Sequence, residues 1–408
     1  MSHPGDLDLG PVPPVKIVLL WRYFVILTRM RGTTMRIRTG ILGRTLAAAG
    51  TAAALVMATA LPAGAAEPPT VEQDVAQLYQ AVSDLFDGLP SGALRGVDPL
   101  FRSPIPQVGR QTRATDGPIP GCTEGALLTY AGKLAAQLSP LENRALGALS
   151  GLSQLYAQAV STDKVPQVFG TDGQYTQRAA STVAKLRGFW DIESWNVQFV
   201  AWKGTDLGSK DKMVQTFKLG LAPKRAQEAA ALAVKVLYEV PAMQGGRNPL
   251  LTLNAFAATA DSLGGKRVML GDGLLDTVDQ LGFDEVSVET VLGHEYGHQV
   301  DFANKNFPRN ESGEMGPDAY SGYFVAHAKG ESFDARSQQA VTYLDASIGD
   351  CHHSHGTPDQ RKAAGAWGEK QAANQSRVLP SATMIARFQK EYPKLVPPAQ
   401  PALAAAHG

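Results

Sequence analysis

The chain has 408 residues, 44% of them hydrophobic and 19% charged, and 38 Lys and Arg exactly offset 38 Asp and Glu for a formal net charge of zero. That composition excludes a disordered chain, a collagen or a coiled coil, and the zero balance argues against a nucleic-acid binder, which carries a basic surplus. Two cysteines are too few for a disulfide-framed mini-protein or a four-cysteine zinc module, while the length allows two or three domains.

The charge is unevenly spread. Residues 1–66 hold seven basic residues against Asp6 and Asp8, leaving 31 basic against 36 acidic in the remainder. From Met35 the chain runs through Arg36, Arg38 and Arg44, then an uncharged stretch over 45–61, then Ala63-Gly64-Ala65. This is the order of a secretory signal: basic, apolar, small. It predicts a leader over 1–66, an over-long start followed by a signal peptide beginning at Met35, and a secreted mature protein. A membrane anchor at 41–61 is the alternative, although its uncharged part, 45–61, is short and weakly apolar for a span. In an oxidising compartment Cys122 and Cys351 can form a single disulfide, the alternative being two free buried thiols.

Residues 71–89 place Val71, Val75, Leu78, Val82 and Leu85 at helical spacing. A Pro-bearing stretch over 90–121 follows, so 67–121 is read as an N-terminal helix and linker. Two helices are predicted over 125–160, split at Ser139-Pro140, then a helix over 172–189. Alternation over 195–202 suggests a strand. An Ala-rich helix over 225–238 precedes two short strands, 250–259 and 266–270. Helices are predicted over 284–304, 318–329, 332–348, 358–374 and 381–392, and the Pro/Ala-rich tail 397–408 is read as disordered. Residues 122–396 thus form a helical region merging into a catalytic domain with its core over 225–392. The fold class is α+β, mainly helical, with a small sheet.

Six of the eight histidines fall within 294–355, where uniform scatter would place about one. At the centre is His294-Glu295-Tyr296-Gly297-His298, an H-E-x-x-H motif. On a helix, residues i and i+4 lie about 40° apart, so two imidazoles share a face and can bind one Zn2+. Glu295, adjacent to His294, can reach a water there and act as general base. Gly293 and Gly297 keep the helix surface thin near the metal. A catalytic zinc needs a third protein ligand. Glu314 and Asp318 are four residues apart, so one carboxylate can ligate and the other can accept the second N–H of a ligand histidine; Glu311 and then Asp318 are the rival ligands. Positions 301 and 304 are Asp301 and Asn304, which disfavours a three-histidine arrangement. His352 and His353 are read as a polar loop, and His327 as a structural residue.

At these residues the chain resembles a gluzincin-type neutral zinc metallopeptidase. The likeness is to secreted and membrane-associated bacterial families with the signature H-E-x-G-H followed by E-L-x-A-D-x-x-A-G-Y. It is carried by HEYGH at 294–298, EMGPDAYSGY at 314–323 and HGTPDQR at 355–361. Upstream, Asn254-Ala255-Phe256-Ala257, Val268-Met269-Leu270 and Gly273-Leu274-Leu275 are similar to the segment before the active helix in prenyl-protein-protease-like peptidases. The likeness covers about 250–375. It implies a zincin-like catalytic domain with His294, His298 and Glu314 as zinc ligands and Glu295 as catalytic base. It further implies Asp318 as the partner of a ligand histidine and His355 as a transition-state stabiliser or a group near the zinc. Asn254 to Ala257 would lie by the edge strand that holds an extended peptide by β-augmentation. Gly316-Pro317 departs from the signature and predicts that Glu314 sits at or just before a helix start.

These readings converge on an exported zinc endopeptidase acting on peptides or proteins, with no nucleic-acid partner and a membrane association only if the leader stays uncleaved. The alternative is a secreted binding or scaffold protein with a structural or vestigial zinc site. Zinc-dependent hydrolysis of a non-protein amide is a third reading.

Overall fold

The computed structural model describes residues 69–91, 93, 119, 121–308, 311–351, 355–373 and 375–395. The predicted leader, most of the Pro-rich linker, His352, His353 and the tail from 396 lie outside the described residues. All described elements belong to one compact unit within 66–408.

In chain order these are α1 (Val71–Asp87), α2 (Ala126–Ala135), α3 (Pro140–Leu155), α4 (Thr176–Phe189), β1 (Gln198–Trp202), α5 (Lys210–Phe217), α6 (Pro223–Glu239), β2 (Ala255–Ala258), β3 (Arg267–Gly271), α7 (Asp272–Gln280), α8 (Ser287–Ala303), α9 (Ser312–Ala326), α10 (Ala335–Ile348), α11 (Pro358–Ala372) and α12 (Ser381–Leu395). Local chemistry starts several of them. Thr70 with Gln73, Ser139 with Glu142 and Thr357 with Gln360 each form a reciprocal cap that satisfies two orphan N–H groups. Pro140 and Pro358 follow their caps at the one helical position where a missing N–H costs nothing.

Among the described residues the sheet has three strands in the order β1-β3-β2. β1 runs parallel to β3, and β2 antiparallel to it, so Val200 and Phe256 both sit opposite Met269. Successive side chains point to opposite faces. Phe199, Ala201, Ala255, Ala257, Val268 and Leu270 join the larger core. Val200, Trp202, Phe256, Ala258 and Met269 join Ala157 on the other side. Both faces are covered, which is why these strands read as apolar runs.

A second core joins leucines, valines and alanines of α1, α3 and α6 to Met213 and Phe217 of α5. The larger core draws on α4, the sheet and α7 to α12. The mainly helical α+β expectation is met. Two short helices were not anticipated, α5 and α7. α7 springs straight from β3: Asp272 is buried and accepts from Gly273 N at 2.9 Å and from the Thr252 hydroxyl. The predicted strand over 250–259 is shorter, because Asn248 and Pro249 start a tight turn over Pro249–Leu251. Among the described residues no helix is long and apolar enough to cross a membrane.

α9 starts earlier than the proline suggested. Glu314 is its third residue and Pro317 lies inside it. The backbone bond that Pro317 cannot make would have gone to the carbonyl of Gly313, in the half-buried first turn where solvent reaches it. The helix therefore tolerates the break.

Candidate metal centre

α8 is buried nearly all round, as a helix in the middle of a core must be. From Val286 to Asp301 every residue is buried except His298. Tyr296 stacks on Phe199 of β1 at 5.9 Å, and Arg178 of α4 makes a two-pronged ion pair with Glu289, at 3.0 and 2.5 Å. Gln299 ties α8 to the sheet, donating to Ala258 O at 3.0 Å and Arg267 O at 3.2 Å. The two glycines of the motif thin the helix toward α9. A Cβ on Gly293 would stand 2.6 Å from Ser321 Oγ, and one on Gly297 would stand 2.8 Å from Pro317 Cα. This close crossing brings the first turn of α9 over the two histidines.

His294 Nε2 lies 3.4 Å and His298 Nε2 3.8 Å from Glu314 Oε2. Among the described residues these three form a group able to hold a metal ion. Ligand atoms about 2.1 Å from one ion in tetrahedral geometry stand about 3.4 Å from one another, so the spacing and the two-nitrogen, one-oxygen donor set fit zinc. His298 and Glu314 each keep about a fifth of their side-chain surface open, 19%. The centre is therefore reachable from solvent. Glu311, the rival ligand, accepts instead from the Tyr392 hydroxyl at 3.3 Å.

Asp318 is fully buried, and its Oδ1 lies 2.8 Å from His294 Nδ1. Arg361, also buried, grips the same carboxylate with both prongs, Nε to Oδ2 at 2.9 Å and Nη2 to Oδ1 at 2.7 Å. Burial opposes a charge on His294, yet Asp318, Glu314 and Glu295 push its pKa up to about 10 without metal. Burial alone would raise Glu314, but His298, His294 and His355 hold its carboxyl well below the usual range. The group is thus a compact set of opposite charges that a cation can reorganise.

His355 sits close enough to act on Glu314. Asp350 accepts from His355 N at 3.0 Å and lies 3.2 Å from its Nδ1. The loop carrying both is pinned from the N-terminal side: Ile119 N donates to Cys351 O, Gly125 N donates to Gly349 O, and Cys122 is disulfide-bonded to Cys351. Of the two readings the cysteine pair allowed, the disulfide is the one present. Asn254 and Ala255 to Ala257 lead into and form β2, at the sheet edge beside α8. His327 is buried against Phe189, and its Nδ1 accepts from Lys329 N at 3.0 Å, a structural setting. Burial pushes the Asp301 carboxyl up to about 7, against hydrogen bonds from Asn306 and Tyr320.

Sequence reasoning did not single out Asp350 or Arg361. Arg361 stood inside the HGTPDQR segment, but nothing in its spacing tied it to Asp318, 43 residues earlier. Asp350 had no signal beyond lying next to Cys351.

Residues 214–303 match Peptidase family M48, a family of zinc metallopeptidases. The match runs from α5 through α8, so it includes the H-E-x-x-H helix and stops short of Glu314. It supports a metallopeptidase and implies zinc-dependent action on peptides or proteins. No curated protein and no solved structure matches the chain.

Proposed function

We propose that the chain is an exported, zinc-dependent endopeptidase with a zincin-like centre, in which His294, His298 and Glu314 hold the metal and Glu295 is the general base. The observation that carries this reading is the convergence of His294, His298 and Glu314, two nitrogens and a carboxylate oxygen, next to a buried glutamate. A bound Zn2+ supplies Lewis acidity toward a peptide carbonyl and toward water.

The protein's own groups do the rest. Asp318 accepts the Nδ1 proton of His294, which leaves the Nε2 lone pair for the metal, and Arg361 fixes Asp318 in turn. Glu295 takes the proton of the attacking water and returns it to the leaving amine. His355, steadied by Asp350, donates from its other nitrogen to the oxyanion. The peptide lies as an added strand beside Asn254, Ala255, Phe256 and Ala257. The opposite sheet edge does not compete, because the Gln167 side chain accepts from Ala201 N of β1 at 2.8 Å. Export is supported by the leader pattern and by a disulfide, which persists in oxidising compartments.

Glu295→Gln should abolish cleavage of casein while one zinc stays bound. Residual cleavage at the wild-type rate in that variant refutes the general-base assignment. His294→Ala should lose both zinc and cleavage, read by metal analysis of the same samples. A wild-type protein that holds zinc and cleaves no unfolded substrate would favour the scaffold reading.

A further inference from the structure

The metal-facing row of α8 continues outward as a series of stacked rings. His298 and Phe302 stack with centroids 6.2 Å and planes 22° apart, and Phe302 and Phe307 stack at 6.0 Å and 21°. The first pair follows from helix spacing, since 294, 298 and 302 share one face. The second does not. Phe307 belongs to the connector between α8 and α9, and a shaped turn returns it to Phe302.

That turn is held at several points. Lys305 takes a left-handed φ of 56°. Asn306 donates from its backbone N to Asp301 O at 2.9 Å and from Nδ2 to Asp301 Oδ1 at 2.7 Å, and accepts from Gln389 Nε2 at 3.0 Å. Asn304 Nδ2 donates to Val300 O and Ser381 Oγ. The result presents Phe307 with 60% of its surface exposed. A single exposed aromatic is ordinary. An aromatic fixed in place by a clamped turn, and stacked in line with a candidate metal ligand, is not accounted for by packing, because more than half of it stays in water.

We infer that Phe302 and Phe307 form an apolar subsite of the metal centre that takes a bulky apolar or aromatic side chain of the peptide, one or two residues from the cleaved bond. The inference rests on the endopeptidase reading. Solvent access points the same way: His298 is the one residue of α8 from Ser287 to Asp301 that is not buried, so a substrate reaches the centre over this end of the helix. Reach agrees as well. An extended peptide advances about 3.3 Å per residue, so a side chain one or two residues from the reacting carbonyl spans the distance from His298 to Phe302. Covering Phe307 removes apolar surface from water on both molecules.

The test uses zinc-loaded full-length protein and alanine-rich peptides in which a single Phe is moved along the chain, with cleavage sites located by mass spectrometry. Wild type should prefer a Phe at one position flanking the bond by about tenfold or more in kcat/KM. Phe307→Ala should erase that preference, lowering kcat/KM for the Phe peptide about tenfold while leaving the all-alanine peptide within about twofold; Phe307→Leu should retain most of it. Phe307 is chosen because its exposure keeps the variant folded. Equal loss on both peptides, or no loss on either, overturns the subsite. Wild-type cleavage of every peptide at one rate overturns the subsite alone, whereas a zinc-loaded wild type that cleaves neither peptide nor casein overturns the endopeptidase reading and the subsite with it.

Discussion

Behind the Asp318–Arg361 pair lie two more acids. Asp345 is buried, and the bare backbone of Gly365 makes room for it, since a Cβ there would stand 2.2 Å from Asp345 Oδ2. Burial drives the Asp345 carboxyl well above its ordinary range, with Asp318 adding to the effect and Arg361 opposing it. Burial likewise pushes Glu369 up to about 8, against Lys370. The folded chain therefore keeps a proton on Glu369 that the unfolded chain gives up near 4.5. Between those values the unfolded state binds fewer protons, so this group makes stability fall as pH rises. Thermal melts of metal-free protein over that window should show Tm falling more steeply for wild type than for Glu369→Gln. Identical slopes would mean that Glu369 ionises normally in the fold.

At the scale of elements, the centre exists because α8 and α9 cross closely. The two histidines come from α8 and Glu314 from α9, so the distance between the helices sets the distance between ligands. Gly297→Ala would place a methyl 2.8 Å from Pro317 Cα. Overpacking of this kind costs about 1–3 kcal/mol, and zinc affinity should drop with it. Gly132→Ala, in α2 where an added Cβ meets nothing within 4 Å, should instead gain about 0.5–1 kcal/mol from helix propensity. Urea unfolding and zinc titration of the two variants read both effects. Unchanged zinc affinity in Gly297→Ala would show that the crossing does not govern the ligands. The motif marks α8 plainly in the sequence, whereas the start of α9 was misplaced, because a proline rule cannot see that the lost bond falls in a half-buried turn.

At the scale of the whole molecule, Cys122 and Cys351 join positions 229 residues apart. The bond fastens the segment before α2 to the loop holding Asp350 and His355. Cys122→Ser with Cys351→Ser should cost about 2–5 kcal/mol in chemical unfolding. Hydrogen exchange should rise most over 119–125 and 349–357, because those backbone bonds lose their covalent clamp. A uniform rise across the chain would show that the clamp is not local.

What the sequence alone determined is local in origin. The H-E-x-x-H spacing, the capping boxes and the apolar periodicity each depend on residues a few positions apart, and helix geometry converts such spacing directly into a shared face. His294, Glu295 and His298 were legible for that reason. The same spacing marked Glu314 and Asp318 as a ligand and its partner; the likeness to known peptidases assigned which is which and added His355. Tertiary structure alone decided that Arg361 grips Asp318, that Asp350 steadies His355, that Gly293 and Gly297 serve the crossing with α9, and that Phe307 returns to Phe302. These pairings span a few to several dozen residues through loops and helix packing, and no period in the chain encodes where a loop brings its ends together.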